Sequence, residues 1–161
     1  MNLTISKIIS GDVDTLVELL HELAAFENLS EYCKVDAAGL IAAMFGEDGF
    51  VRGLMARDSG AEIGYAIYYP SFASFSGQRS MYLEDLYVKE AYRGKGVGEK
   101  LLSAVAADAA ASNCDRLDFM VLEWNTPAVT FYKKLGVEIN DDERHCKFQG
   151  EAFRSLIRTV S

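Results

Sequence analysis

Tyr82-Leu83-Glu84-Asp85-Leu86-Tyr87-Val88, followed shortly by Arg93-Gly94-Lys95-Gly96-Val97-Gly98, is the stretch on which the reading of this chain turns. The first string reads as a strand, and the second as a glycine-rich turn on which a helix opens. Glycines let the backbone approach a ligand closely, and the first N–H groups of a helix have no partner within it. With the positive end of the helix dipole, those donors suit a pyrophosphate. Two carboxylates inside the strand put a candidate base next to the anion site.

Outward from this centre, residues 2–9 alternate weakly and predict a first strand. Asp12 is placed to cap a helix whose apolar positions Val13, Leu16, Leu19, Leu20 and Leu23 keep helical spacing to about Phe26. A second helix is expected from Asp36, carrying Leu40, Ile41 and Met44, and the Gly46–Gly49 turn ends it. Phe50 to Arg57 and Glu62 to Tyr69 read as strands joined by the hairpin signal Asp58-Ser59-Gly60-Ala61. Ser71 to Ser80 is expected as a loop and Met81 to Val88 as a strand. Val97, Leu101, Leu102 and Val105 form one stripe of the next helix, to about Ser112. Arg116 to Glu123 reads as a strand. Thr126-Pro127 starts a helix that Gly136 stops. Glu143 to Gln149 is expected to close the sheet, and Gly150 to Arg158 to form a short helical tail. The order β-α-α-β-β-β-α-β-α-β predicts a mixed α/β fold, a largely antiparallel sheet with helices packed on both faces.

With 161 residues, the chain is expected to form a single domain over 1–161. No apolar run reaches the roughly 18 residues a membrane span requires. The N-terminal residues lack a basic region followed by an apolar core. Cys33, Cys114 and Cys146 have no Cys-x-x-Cys spacing and read as reduced thiols, so a cytoplasmic protein without a metal is expected. A net charge of −8 repels nucleic acid, and neither nucleic acid nor membrane is expected as a partner. His145 beside Cys146 does not make an activated nucleophile if neighbouring strand residues face opposite ways, and His21 reads as a surface residue.

The glycine loop is neither a Walker A loop, because Lys95 is followed by Gly96, nor a dinucleotide fingerprint, because Glu99 stands where a third glycine belongs. It resembles the acetyl-CoA pyrophosphate loop of the GCN5-related N-acetyltransferases. Glu123-Trp124-Asn125-Thr126-Pro127-Ala128, with Phe131-Tyr132-Lys133-Lys134-Leu135-Gly136, resembles the second half of that family's site, and the element order agrees over essentially the whole chain. Within the family, the Tyr82–Val88 string and Trp124-Asn125-x-Pro127-Ala128-x-x-Phe131-Tyr132 are similar to the diamine (spermidine/spermine) acetyltransferases, whose relatives also acetylate thialysine and other small amines.

The resemblance implies direct transfer of acetyl from acetyl-CoA to a primary amine. The cofactor residues it implies are Leu86, Tyr87 and Val88 through main-chain N–H groups, Arg93, Gly94, Lys95, Gly96, Val97, Gly98, Glu99, Asn125, Pro127, Ala128 and Tyr132. An alkylamine has a pKa near 10.4, so about 1 molecule in 10³ is nucleophilic at pH 7. Glu84 is the candidate base, acting through a water. Because strand side chains alternate, Glu84 and Asp85 are expected on opposite faces. The leaving thiolate needs a proton, and Tyr132 occupies the family's general-acid position. Phe131, rather than Tyr132, is expected to face the core.

By the same resemblance Phe26, Glu27, Glu84, Asp85, Asp118, Phe119 and Met120 line the amine cleft, with Glu31 as a further carboxylate. The sequence departs at Asp142-Glu143-Arg144-His145, where the polyamine acetylators carry an acid followed by a tryptophan. A di- or polyamine is the first reading of the acceptor. Thialysine, another small amine or an amino-acid side chain is the alternative, as is a non-catalytic acyl-CoA sensor. A homodimer is expected, since family members commonly pair.

Overall fold

The computed structural model describes residues 1–158. It falls into two compact units, Met1–Met120 and Val121–Ser161.

The first unit contains β1 (Leu3–Lys7), α1 (Val13–Phe26), α2 (Ala37–Phe45), β2 (Arg52–Asp58), β3 (Ala61–Ala73), β4 (Gln78–Val88), α3 (Val97–Ala111) and β5 (Leu117–Asp118). The strands lie in the order β1-β2-β3-β4-β5, antiparallel except for the parallel β4–β5 pair. Ser59 and Gly60, at φ of 53° and 93°, make the two-residue hairpin turn that the sequence signals. Residues 71–80 differ from the loop expected of them. β3 continues to Ala73 and β4 begins at Gln78, so the polar segment forms the far end of a long hairpin. Paired backbone satisfies its own hydrogen bonds even where the side chains are polar.

Each face of the sheet has its own core. Leu54, Ala56, Ala66, Tyr68, Met81 and Leu83 pack with Val97, Leu101 and Val105 of α3. Met55, Tyr65, Ile67 and Tyr87 pack with Leu16 and Leu19 of α1, against which Leu40 and Met44 of α2 also lie. Asp36 caps α2, accepting from Gly39 N at 2.7 Å. Asp12 stands before α1 as expected, but its carboxylate accepts from Ile9 N at 3.0 Å and pairs with Arg57 at 2.6 Å instead of capping the helix.

Two bulges interrupt the alternation of the sheet. Between Ala56 and Arg57 the register leaves Ile63 as the extra residue of β3. Between Ile67 and Tyr68 it passes from Asp85 to Leu83, which makes Glu84 the extra residue of β4.

In the second unit, Asn125 accepts from Ala128 N at 3.3 Å at the start of α4 (Thr126–Lys134), with Pro127 in the first turn. Gly136, at φ 85°, ends it, and Lys133 and Lys134 suit the negative end of its dipole. α5 (Gly150–Arg158) follows, as expected. Two strand expectations fail. Arg116 to Glu123 contracts to Leu117–Asp118, and residues 143–149 form no strand. Every residue from 143 to 149 is exposed, so the segment has no apolar face with which to hold a sheet edge.

Candidate active site

The glycine loop has the shape an anion site needs. Gly94 and Gly96 hold φ of 69° and 81°, and a Cβ on either would meet no protein atom within 4 Å. Glycine is therefore required by the backbone conformation, and the space beside the loop is open. Gly96 caps α3, so the N–H groups of Val97, Gly98 and Glu99 have no carbonyl earlier in the helix to bond. Val97 is buried beneath the loop, whereas Arg93, Gly94, Lys95, Gly96 and Glu99 are exposed. Lys95 Nζ lies 5.4 Å from the Tyr92 ring centroid.

Upstream of the loop, β4 pairs with β5 at Met81 and Tyr82, and the rest of this β4 edge is not paired with β5. Leu86 and Val88 pack into the α3-side core, while Tyr87 packs on the other face and donates its hydroxyl to Glu22 Oε2 at 3.0 Å. Burial, then the charge and hydrogen bond of Glu22, push the Tyr87 hydroxyl up to about 12. With these side chains packed away, it is the main chain of 86–88 that can face a ligand. Arg93 Nε donates to Val88 O at 2.9 Å and thereby ties the loop to the end of the strand.

The bulge corrects the expectation that Glu84 and Asp85 face opposite ways. Leu83 and Leu86 both lie on the α3 side, so the two residues between them share the other face. Both line a cavity of about 520 Å³, together with Leu20, Val35, Leu40, Ala43, Phe50, Val51, Ile67 and Tyr69. The Tyr69 hydroxyl donates to Glu84 Oε2 at 2.9 Å. Burial, and then the charges of Glu84 and Glu27, push Asp85 up to about 7. Glu27, at the end of α1, is half-buried and is raised by the same desolvation.

The remaining substrate candidates separate. Phe26 ends α1, with its ring 4.5 Å from the Arg93 guanidinium. Asp118 is held by Arg116, whose Nε donates to both carboxylate oxygens at 2.7 and 2.9 Å, so its charge is already matched. Phe119 packs against the α3-side core, away from the face that carries Glu84 and Asp85. Met120 and Glu31 are exposed.

In the second unit, Tyr132 is buried at 8% exposure and Phe131 only half-buried, the reverse of the expected order. Burial pushes the Tyr132 hydroxyl up to about 12. Asn125 uses its carbonyl oxygen as the α4 cap, which leaves its amide N–H₂ to reach a ligand. Pro127 is exposed and Ala128 half-buried in the first turn of α4. His145 and Cys146 are both exposed, outside any strand. Among the described residues no cluster of His, Cys, Asp and Glu is placed to hold a metal, and no helix is long and apolar enough to cross a membrane.

Sequence reasoning overlooked Tyr69, which donates to Glu84, and Tyr65, which lies within electrostatic reach of Asp85. Both stand on β3, and their relation to β4 depends on the bulge, which leaves no local mark in the sequence.

Comparison with known proteins identifies the family and the fold. The chain is 40% identical over 157 residues to the thialysine N-epsilon-acetyltransferase of Bos taurus, spanning 91% of this chain and 92% of that protein. It is 30% identical to the human spermidine/spermine N(1)-acetyltransferase-like protein 1, over 83% of this chain and 20% of that one. An integron cassette protein from the mobile metagenome of V. cholerae superposes with a TM-score of 0.81 at 26% identity, covering 98% of this chain and 99% of that one. Residues 16–137 match the acetyltransferase (GNAT) family model, and the chain is a member of that family, an acetyltransferase of small amines with the GNAT fold.

Proposed function

We propose that the protein transfers the acetyl group of acetyl-CoA directly to the primary amine of a small acceptor, and that the acceptor is of the thialysine type in preference to a polyamine. The observation that carries this choice is the 40% identity to a relative named for thialysine. In the cavity, Glu84 and Asp85 sit side by side among walls otherwise formed by uncharged residues, which suits the reacting ammonium and apolar stem that either acceptor offers. Glu27 and the spermidine/spermine-like relative support the polyamine as second reading.

In this reading the N–H groups of Val97, Gly98 and Glu99, with the Arg93–Gly98 loop, hold the pyrophosphate of acetyl-CoA. The main chain of Leu86, Tyr87 and Val88 takes the pantetheine arm and polarises the thioester carbonyl. Asn125, Pro127 and Ala128 contribute from the start of α4, and Tyr132 protonates the departing thiolate. The carboxylates of the cavity bind and deprotonate the amine. The protein acts as a homodimer in the cytoplasm, a setting that suits three thiols outside any disulfide.

A panel assay with acetyl-CoA and thialysine, lysine, putrescine, spermidine and spermine tests the proposal. Thialysine is expected to have the highest kcat/KM. A preference for spermidine or spermine would reverse the choice of acceptor. Silence across the panel with intact coenzyme A binding would make the protein an acyl-CoA sensor. Light scattering on the purified chain tests the dimer.

A further inference from the structure

The bulge in β4 does more than turn Glu84 toward the cavity, because it puts two carboxylates of unlike surroundings side by side. Glu84 is exposed and accepts a hydrogen bond from the Tyr69 hydroxyl at 2.9 Å. That hydrogen bond occupies one of its oxygens and fixes the orientation of the carboxylate. Asp85 is half-buried, and no hydrogen bond to its carboxylate occurs among the described residues. Tyr65 is fully buried, and its hydroxyl has no hydrogen-bond partner among the described residues and lies within electrostatic reach of Asp85 and Glu27. A buried hydroxyl without a partner is unusual.

We propose that Asp85 is the proton acceptor for the incoming amine and that Glu84, held by Tyr69, orients the ammonium beside it. This rests on the transferase reading above. In the step, one N–H bond of the ammonium breaks and its proton passes to an Asp85 oxygen, directly or through a water bonded to Tyr65. The freed nitrogen pair forms the C–N bond to the thioester carbonyl carbon. The C–S bond breaks with its electron pair on sulfur, and the thiolate takes a proton from Tyr132. The second proton lost by nitrogen restores Tyr132 through solvent, and the Asp85 proton leaves to solvent, so one proton is released per turnover.

The surroundings of Asp85 favour this division. Glu84 on its own strand and Glu27 at the end of α1 are the charges acting on it, with Tyr65 and Tyr69 on the neighbouring strand and no basic group among them. Tyr87 and Cys33 also lie within electrostatic reach of Tyr65. An acid brought to about 7 takes a proton from an alkylammonium with an equilibrium about a thousandfold better than an acid near 4.

The test compares Asp85→Asn with Glu84→Gln in the full-length protein, with acetyl-CoA saturating and thialysine or spermidine as acceptor. Wild-type kcat/KM should rise with pH through an inflection near 7. Asp85→Asn should lose at least a hundredfold in kcat and lose that inflection. Glu84→Gln should keep an inflection and raise the amine KM at least tenfold, with kcat within about fivefold. Unchanged coenzyme A affinity by calorimetry shows that each variant is folded, and ¹³C-carboxylate NMR should show an aspartate titrating near 7 that is missing in Asp85→Asn. The proposal is overturned if Asp85→Asn keeps kcat within threefold, or if the inflection disappears in Glu84→Gln and survives in Asp85→Asn. A wild type that acetylates no amine, yet still shows the NMR titration, would sink the transferase reading and this role with it. An active wild type with a profile indifferent to Asp85 would sink this role alone.

Discussion

The guanidinium of Arg93 lies 4.5 Å from the centroid of the Phe26 ring, so the glycine loop before α3 rests against the last residue of α1. Tyr87 approaches the same guanidinium at 5.8 Å, and Val88 O accepts from Arg93 Nε. The loop proposed to receive the phosphates and the helix end proposed to border the amine are therefore joined through one side chain.

That contact predicts coupling between the two substrates. A cation over an aromatic face at a largely exposed site is worth about 0.5–1 kcal/mol. Phe26→Ala should weaken coenzyme A binding by about two- to fivefold although Phe26 belongs to the amine side. A double-mutant cycle with Arg93→Ala, read by calorimetry, should return a coupling of that size. Strict additivity would show the contact to be incidental.

Gly96→Ala would force an alanine into φ 81°, which costs about 1–2 kcal/mol, although its Cβ would meet no protein atom. Relief of that strain tilts the first turn of α3 and its N–H groups. A thermal melt is expected to fall by a few degrees while coenzyme A affinity falls at least tenfold. Equal losses in stability and affinity would mean that the loop serves the fold alone.

Tyr132, at about 12, remains protonated throughout the working range. Its proton transfer to a thiolate with a pKa near 8.5 is uphill by about 5 kcal/mol, more than an exposed tyrosine would require. In the proposed reaction its donation must then come late, when the C–S bond is nearly broken. Tyr132→Phe should lower kcat about 10²- to 10³-fold with cofactor affinity unchanged, and wild-type kcat should show no alkaline decline between pH 8 and 10. Normal turnover in the variant would remove Tyr132 from its role.

Asp85 should weaken the fold as pH rises. Its folded value, about 7, lies above the ordinary 3.8, so the native state keeps a proton that the unfolded chain has already lost. Stability from this residue is present below about pH 4 and is lost as pH climbs through 7. Asp85→Asn removes that loss and should be more stable than wild type at pH 8 by up to about 4 kcal/mol, with the two alike near pH 4. Urea titrations at the two values measure this. A difference that does not change with pH would contradict it.

Helices α1 and α2, the Ser59-Gly60 hairpin, the Gly94/Gly96 turn and the proline-started α4 were all legible, because each depends on caps, spacing and backbone preferences within a few residues. The long β3–β4 hairpin was not, since ladder bonds hold strands whose side chains look like a loop. The strand expected at 143–149 failed for the opposite reason, as alternation on paper does not supply a face to bury.

By itself the sequence determined the glycine turn, because glycine at positive φ before a helix is a local necessity, and it placed two adjacent acids in the strand before it. Only tertiary structure decided how those acids act. Cross-strand register inserts Glu84 as an extra residue, which turns Asp85 to the same side, within electrostatic reach of Tyr65. Register is set by pairing between strands distant along the chain, so no local stretch of sequence specifies which face a carboxylate will share.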